Sequence, residues 1–257
     1  MRNILLTIEY DGTNFSGWQR QPNARTVQGE IESALRYLIG KEVLIDGTSR
    51  TDAGVHAFGQ QASFQLEDGG IPTERIPKAL NDILAFDKIE GVGDIKILDA
   101  KEMPEDFHAR YSAKGKRYIY KIYNAKEKSP FRRTMFYQIA DELDLDAMRE
   151  AAKYIIGTHD FKSFETSGST VHETTVRTIY DLKIENEKTD SNMISISIEG
   201  DGFLYNMVRI IVGTLVEVGL KKKAPAEVKT IIQAQDRSKA GHTAPPQGLY
   251  LDEVFYK

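Results

Sequence analysis

An α+β fold made of two similar halves is the class this sequence predicts, and three observations point to it. Strand-like and helix-like segments alternate as β-α-β and then α-β before residue 105. Around Pro104–Asp106 the pattern restarts with a new strand, followed by a helix, two strands, two helices and a last strand. The chain has 257 residues, 40% of them hydrophobic and 28% charged, which suffices for one large domain or two modest ones, each with its own core.

Residues 2–9 alternate as a first strand, and the Gly-, Asp-, Asn- and Pro-rich "YDGTNFSGWQRQPN" reads as a loop. Val27, Ile31, Ala34, Leu35 and Leu38 recur at helical spacing between an N-capping Thr26 and a terminating Gly40. A short strand is expected near Val43–Ile45, strands around Gln60–Leu66 and Asp94–Asp99, and a helix over Thr73–Leu84. In the second half "KRYIYKIY" predicts a strand and Leu145–Ile155 a helix ended by Gly157. Strands are expected near Val176–Glu185 and Met193–Glu199, helices over Phe203–Val218 and Ala226–Ala234, and a final strand over Leu249–Tyr256. The resulting expectation is two ferredoxin-like or RRM-like α+β halves, 1–105 and 106–257. They would form a continuous, mostly antiparallel sheet with helices on one side and a central cleft for an active site.

Composition removes several chemistries. With no cysteine there are no thiol nucleophiles, disulfides, zinc ribbons or iron–sulfur clusters, and five scattered histidines leave little for a metal site. The chain has no Walker A loop, no G-x-G-x-x-G after the first strand, no G-x-S-x-G and no H-E-x-x-H, so a chemistry without cofactor is expected. "MRNILLTIEY" is too short in its apolar run for a signal peptide, and the longest apolar segment, Phe203–Gly219, contains Arg209 and Glu217, which favours a core helix over a membrane span. A cytoplasmic protein is expected.

The net charge of −4 hides an asymmetry. From His108 to Arg133 nine cations face the single acid Glu127, so this segment carries +8 and the remainder −12. Tyr111, Tyr118, Tyr120, Tyr123 and Phe131 are threaded through it. Cations interleaved with flat rings suit a phosphate backbone with exposed bases, and equally a solvated strand whose rings pack inward.

The segment "SRTDAGVHA", residues 49–57, places Asp52 between Thr51 and the small pair Ala53-Gly54, which lets a ligand approach. Taken alone, such an aspartate serves as well to cap local amides. Arg209 changes the balance, because a guanidinium in the apolar "FLYNMVRIIVGTLVEVG" asks for a carboxylate partner, and an acid held ionised by an arginine is a persistent nucleophile at neutral pH.

These residues carry a resemblance that runs nearly end to end. "YDGTNFSGWQRQP", "TVQGEIE", "RTDAGVHA", "FHARYSAKGKRYIY", "GTHDFKSF", "FLYNMVRIIVGTLVEVG" and "PPQGLYL" occur together and in this order, and in them the chain resembles the tRNA pseudouridine synthase A family. The resemblance implies isomerisation of uridine to pseudouridine at positions 38, 39 and 40 of the tRNA anticodon stem-loop, without cofactor, by a homodimer in which one tRNA touches both subunits. It implies Asp52 as the catalytic aspartate, attacking C1′ or assisting glycal formation. By the same resemblance Arg50 helps displace the target base, Tyr118 is the active-site tyrosine, Arg209 pairs with the aspartate, and Leu249 lines the uracil pocket. Arg110 is a candidate phosphate contact, and His56 a residue that shapes the turn.

The family usually has glycine where this chain has Ser49, a residue that would be strained if the backbone there needed positive φ. Two other readings compete. An RNA-binding module without activity would keep the basic-aromatic face and not need Asp52, and a glycosidase would want two carboxylates flanking the bond, where the sequence offers one strong acid.

Overall fold

The computed structural model describes residues 1–86, 88, 91–166 and 174–257. The chain divides into two compact units, Met1–Lys114 with Tyr250–Lys257, and Gly115–Leu249.

In the first unit, strand β1 (Arg2–Tyr10) runs antiparallel to both β3 (His56–Leu66) and β4 (Ile95–Met103), pairing Leu6 with Ala62 on one side and Ala100 on the other. A two-residue β2 (Asp46–Gly47) joins β3 antiparallel, and Tyr250 and Leu251 of β10 (Leu249–Phe255) pair parallel with His56 and Ala57. Helix α1 (Val27–Ile39) begins where the Thr26 hydroxyl accepts the Gly29 N–H at 3.3 Å and ends at Gly40 in the left-handed region, as its cap residues predict. Helix α2 (Ile76–Leu84) follows a 3-10 turn over Thr73–Arg75 and packs on α1. Ile4, Leu6, Ile8, Ile31, Leu35, Ile76 and Leu80 form the core of this unit, all essentially inaccessible to solvent.

The second unit sets β5 (Gly115–Asn124), β9 (Met193–Gly200), β8 (Val176–Asn186) and β7 (Gly157–Asp160) side by side and antiparallel, with β6 (Tyr137–Ile139) parallel to β5. Helices α3 (Leu145–Ala152), α4 (Met207–Gly219) and α5 (Glu227–Ala234) complete it. Its core is Met148, Phe161, Phe164, Ile194, Ile196, Ile198, Ile210, Ile211 and Leu215.

The mixed α+β class is as expected, and the element bounds differ in physically accountable ways. The segment after β4 stays with the first unit past residue 105. The Asn3 side chain donates to the carbonyls of Pro104 and Phe107, the Ala109 N–H to Ser63, and the Lys114 N–H to Phe255. Helix α3 stops at Ala152, short of the expected Ile155. Gly157 is no helix terminator: at φ +113° it opens β7, so His159 and Asp160 stand in a strand opposite Arg177 and Val176. Helix α4 starts at Met207, because Asn206 takes φ +59° and breaks the helical path that the apolar Phe203-Leu204 suggests. The short strand expected at 43–45 is instead β2 at Asp46–Gly47. Among the described residues no helix is long and apolar enough to cross a membrane.

Candidate active site

The turn that carries Asp52 lies between β2 and β3. The Val55 N–H closes it onto the Asp52 carbonyl at 3.1 Å. Asp52 is half-buried, Arg50 and Ala53 are exposed, and Thr51 beneath them is buried. Ser49 is buried at ordinary negative φ, and its carbonyl accepts the Gln60 side-chain N–H at 2.8 Å, so serine sits there without backbone strain.

His56, at the start of β3, is buried. Its Nδ1 lies 3.0 Å from the Gly12 N–H and 3.2 Å from Asp11 Oδ1, and its ring stacks on Tyr250, which stacks in turn on Phe58. The same nitrogen thus faces both groups, and the Asp11 carboxylate lies within hydrogen-bond reach of it. The His56 hydrogen bond, with the hydroxyl and amide of Thr13 next, holds the Asp11 carboxyl at about 2 against the opposing effect of burial. A carboxyl depressed on folding adds stability that is complete above its ordinary value of 3.8 and is lost as pH falls toward 2. Asp11→Asn should therefore flatten the loss of stability between about pH 4 and pH 2, by on the order of 1 kcal/mol after solvent screening, measured by urea unfolding at stepped pH. His56 is thus placed to shape the turn, as expected.

Arg110 stands on the segment 104–114. The carbonyl of its neighbour Ala109 accepts the hydroxyls of Thr48 and Tyr256, both at 3.0 Å, which pins this segment close in sequence to the Asp52 turn. Above that anchor Arg110 is exposed, Tyr111 is 76% exposed, and the guanidinium lies 5.8 Å from the Tyr111 ring centroid. His108 serves locally: its Nδ1 accepts the Arg110 N–H, and its ring packs against Tyr111 at 4.4 Å. Trp18 and Tyr10 are both core residues.

In the second unit Tyr118 lies on β5, buried, with its ring edge-on to Phe203 at 5.2 Å. Tyr120 points to the same face and donates its hydroxyl to the Pro245 carbonyl at 2.7 Å. Burial pushes its pKa well up, so this phenol stays protonated. Tyr118 and Tyr120 therefore pack inward, while Tyr123 of the same strand is half-buried with the Arg132 guanidinium 4.4 Å from its ring centroid, and Tyr111 and the 92% exposed Phe131 flank the strand in the open. Arg209 is half-buried on the first turns of α4. Its Nε donates to the Ala244 carbonyl at 2.7 Å and its Nη1 to Asn206 Oδ1 at 2.6 Å. The segment Ala244–Gly248 thus receives both Arg209 and Tyr120 and leads straight into Leu249, bringing these residues of the second unit together.

Asn206 is the site residue that sequence reasoning passed over. Its side chain also donates to Thr166 at 2.9 Å, and its left-handed backbone is a conformation that asparagine adopts more readily than most residues. An asparagine beside an arginine at the head of an apolar helix was the available signal. Among the described residues no three of His, Asp and Glu gather as metal ligands would.

Comparison with known proteins gives a consistent result. The family model described as tRNA pseudouridine synthase matches residues 6–112 and 151–257. A protein of Acetivibrio thermocellus named tRNA pseudouridine synthase A is 51% identical over 256 residues, covering all of both chains. Proteins of the same name from Thermoanaerobacter sp. and Caldicellulosiruptor bescii are each 50% identical, again over the full length of both chains.

Proposed function

This chain belongs to the tRNA pseudouridine synthase family, and from that premise we propose that Asp52 begins its reaction, on uridines 38, 39 and 40 of the tRNA anticodon stem-loop. The protein is an isomerase that converts uridine in tRNA to pseudouridine. The observation that carries the assignment is the half-buried carboxylate of Asp52 on a turn whose next residues are the small Ala53 and Gly54.

In the isomerisation the bond between C1′ and N1 breaks, the uracil turns, C5 bonds to C1′, the proton from C5 leaves to solvent and N1 takes one up, so that the product has the same atoms as the substrate. Asp52 starts this by attack at C1′ or by taking the 2′ proton, and no electrons are exchanged with a second substrate. The target base must leave its stack, at a cost of a few kcal/mol, and the exposed Arg50 beside Asp52 fills the place it vacates. Tyr118 contacts the turned-out base, Leu249 lines its pocket, and Arg110 with Tyr111 holds the RNA by phosphate contact and ring stacking. Arg209 supplies the counter-charge that keeps the aspartate ionised, and the bonds from its Nε and Nη1 to Ala244 and Asn206 support that role by fixing the guanidinium plane. A homodimer acting in the cytoplasm, with one tRNA touching both copies, completes the reading on the strength of the family resemblance.

The test is release of tritium from a tRNA transcript carrying C5-labelled uridine, incubated with the protein and no added cofactor. Replacing the uridine at each of the three positions in turn sets the specificity. No release from any transcript that keeps those uridines would sink the reading. In the same system Lys114→Gln, Lys116→Gln and Arg117→Gln should each weaken tRNA binding and lower the slope of log affinity against log salt by about 0.7 to 0.9 per lost phosphate contact. An unaltered slope would place the RNA path elsewhere.

A further inference from the structure

The loop Tyr10–Trp18 has no part in the reaction as assigned above, yet it holds the Asp52 turn at nearly every point. We propose that this loop is the mould of the catalytic turn, and that the buried hydroxyl pair of Tyr10 and Thr51 is the positioning contact that aims Asp52. The proposal rests on the reading of Asp52 as the reacting carboxylate.

The Tyr10 and Thr51 hydroxyls share a hydrogen bond of 2.7 Å, with both side chains buried. The Trp18 N–H donates to the Thr51 carbonyl at 3.0 Å, so Thr51 is held by its side chain and its backbone at once. Gly17, at φ +91°, lies flat against the next peptide. A Cβ there would come 2.6 Å from the Thr51 oxygen and 3.2 Å from the Asp52 carbonyl carbon. Gly12 closes the far side, where a Cβ would sit 1.9 Å from the Val55 oxygen, and its own N–H is bound to His56 Nδ1. With the Asp52 carbonyl bonded to Val55, both peptide groups of Asp52 are packed or hydrogen-bonded. The backbone that carries the carboxylate is fixed on both sides.

The mould is itself anchored. Trp18 is fully buried and tilted against Tyr10 at 6.3 Å, and the Trp18 carbonyl accepts the Gln28 N–H of α1. Tyr10 ends β1 and is paired on both sides, with Ala57 and with Ile95. Thr51 is thus tied, through one hydroxyl pair, to the central strand of its unit. Displacing a reacting group by about 1 Å costs on the order of 100-fold in rate, so a carboxylate on a surface turn needs such an anchor. Binding of tRNA, spread over many contacts, has no such need.

The experiment compares Tyr10→Phe, Thr51→Val, the double variant and Thr51→Ser by tritium release from C5-labelled tRNA, with melting temperatures recorded for each. Asp52→Asn is run alongside. Tyr10→Phe and Thr51→Val should each lower kcat by about 10- to 100-fold while KM for tRNA stays within about twofold. The double variant should be no slower than the worse single one, because both remove the same bond. Thr51→Ser, which keeps the hydroxyl, should recover most of the rate even where the valine variant folds poorly. Wild-type kcat in Tyr10→Phe, a loss confined to KM, multiplied losses in the double variant, or no recovery in Thr51→Ser would each overturn the proposal. Activity in Asp52→Asn would overturn the assignment of the carboxylate, and the mould with it. An inert Asp52→Asn beside a fully active Tyr10→Phe would overturn the mould alone.

Discussion

Asp52→Asn should abolish pseudouridine formation, by at least about 10³-fold, and leave tRNA affinity within a few fold of the parent protein. The carboxamide has the shape of the carboxylate, so the turn closed by Val55 and held by Trp18 keeps its path. What it lacks is the charge. A carboxamide is neither a nucleophile toward C1′ nor a base toward the 2′ proton, so both routes for the first step fail together. Tritium release measures the first expectation and filter binding the second. Full modification by the variant would remove Asp52 from the chemistry, and joint loss of rate and binding would mean that the substitution had disturbed the turn. Retained binding with lost turnover also separates an enzyme from an RNA-binding module, the distinction that the basic-aromatic segment left open.

How far the sequence was legible depended on how local each signal was. Thr26 and Gly40 bracket α1 because a cap acts on backbone groups within one turn, and both were readable as letters. The same holds for β5, β8 and β9, whose alternation spans eight residues or more. Three- and four-residue strands such as β6 and β7 have no such pattern, since pairing with a distant neighbour alone makes them strands. The site divides along the same line. Asp52 and Arg209 stood out because a carboxylate among small residues and a cation among apolar ones are both locally anomalous. Tyr10 and Thr51, 41 positions apart, are ordinary letters in their own surroundings, and only the fold brings their hydroxyls together. Asn206 lay hidden because Phe203 and Leu204 prolong the apolar pattern past the true start of α4. Of the two readings open for the rings of β5, Tyr118 and Tyr120 follow the inward-packing one, Tyr123 is half-buried beside Arg132, and Tyr111 and Phe131 stand in the open on either side.

The largest expected effect on stability is that of Gly213→Ala, although alanine is the better helix former by about 1 kcal/mol. Gly213 lies midway along α4, where the segment 241–244 crosses it so closely that a Cβ would come 1.8 Å from the His242 oxygen and 2.8 Å from its carbon. Both atoms are backbone, so no side chain can swing aside, and ordinary contact requires the segment to retreat by well over 1 Å. Retreat breaks the bond from the Gly241 N–H to the Thr214 hydroxyl at 2.9 Å and the bond from the Ala244 N–H to the Arg209 carbonyl at 3.1 Å. Two lost bonds at about 1 kcal/mol each, with about 1 to 3 kcal/mol of overpacking, outweigh the gain in propensity. The net loss should be about 2 to 4 kcal/mol, seen as a lower urea midpoint at unchanged slope. Activity should fall further than stability alone explains, measured where the variant is still folded, because the same retreat withdraws the Ala244 carbonyl that receives Arg209 Nε. If Gly213→Ala instead matches the parent in midpoint, the close crossing of α4 by this segment does not hold in solution. The orientation of Arg209 would then not depend on the closeness of that crossing.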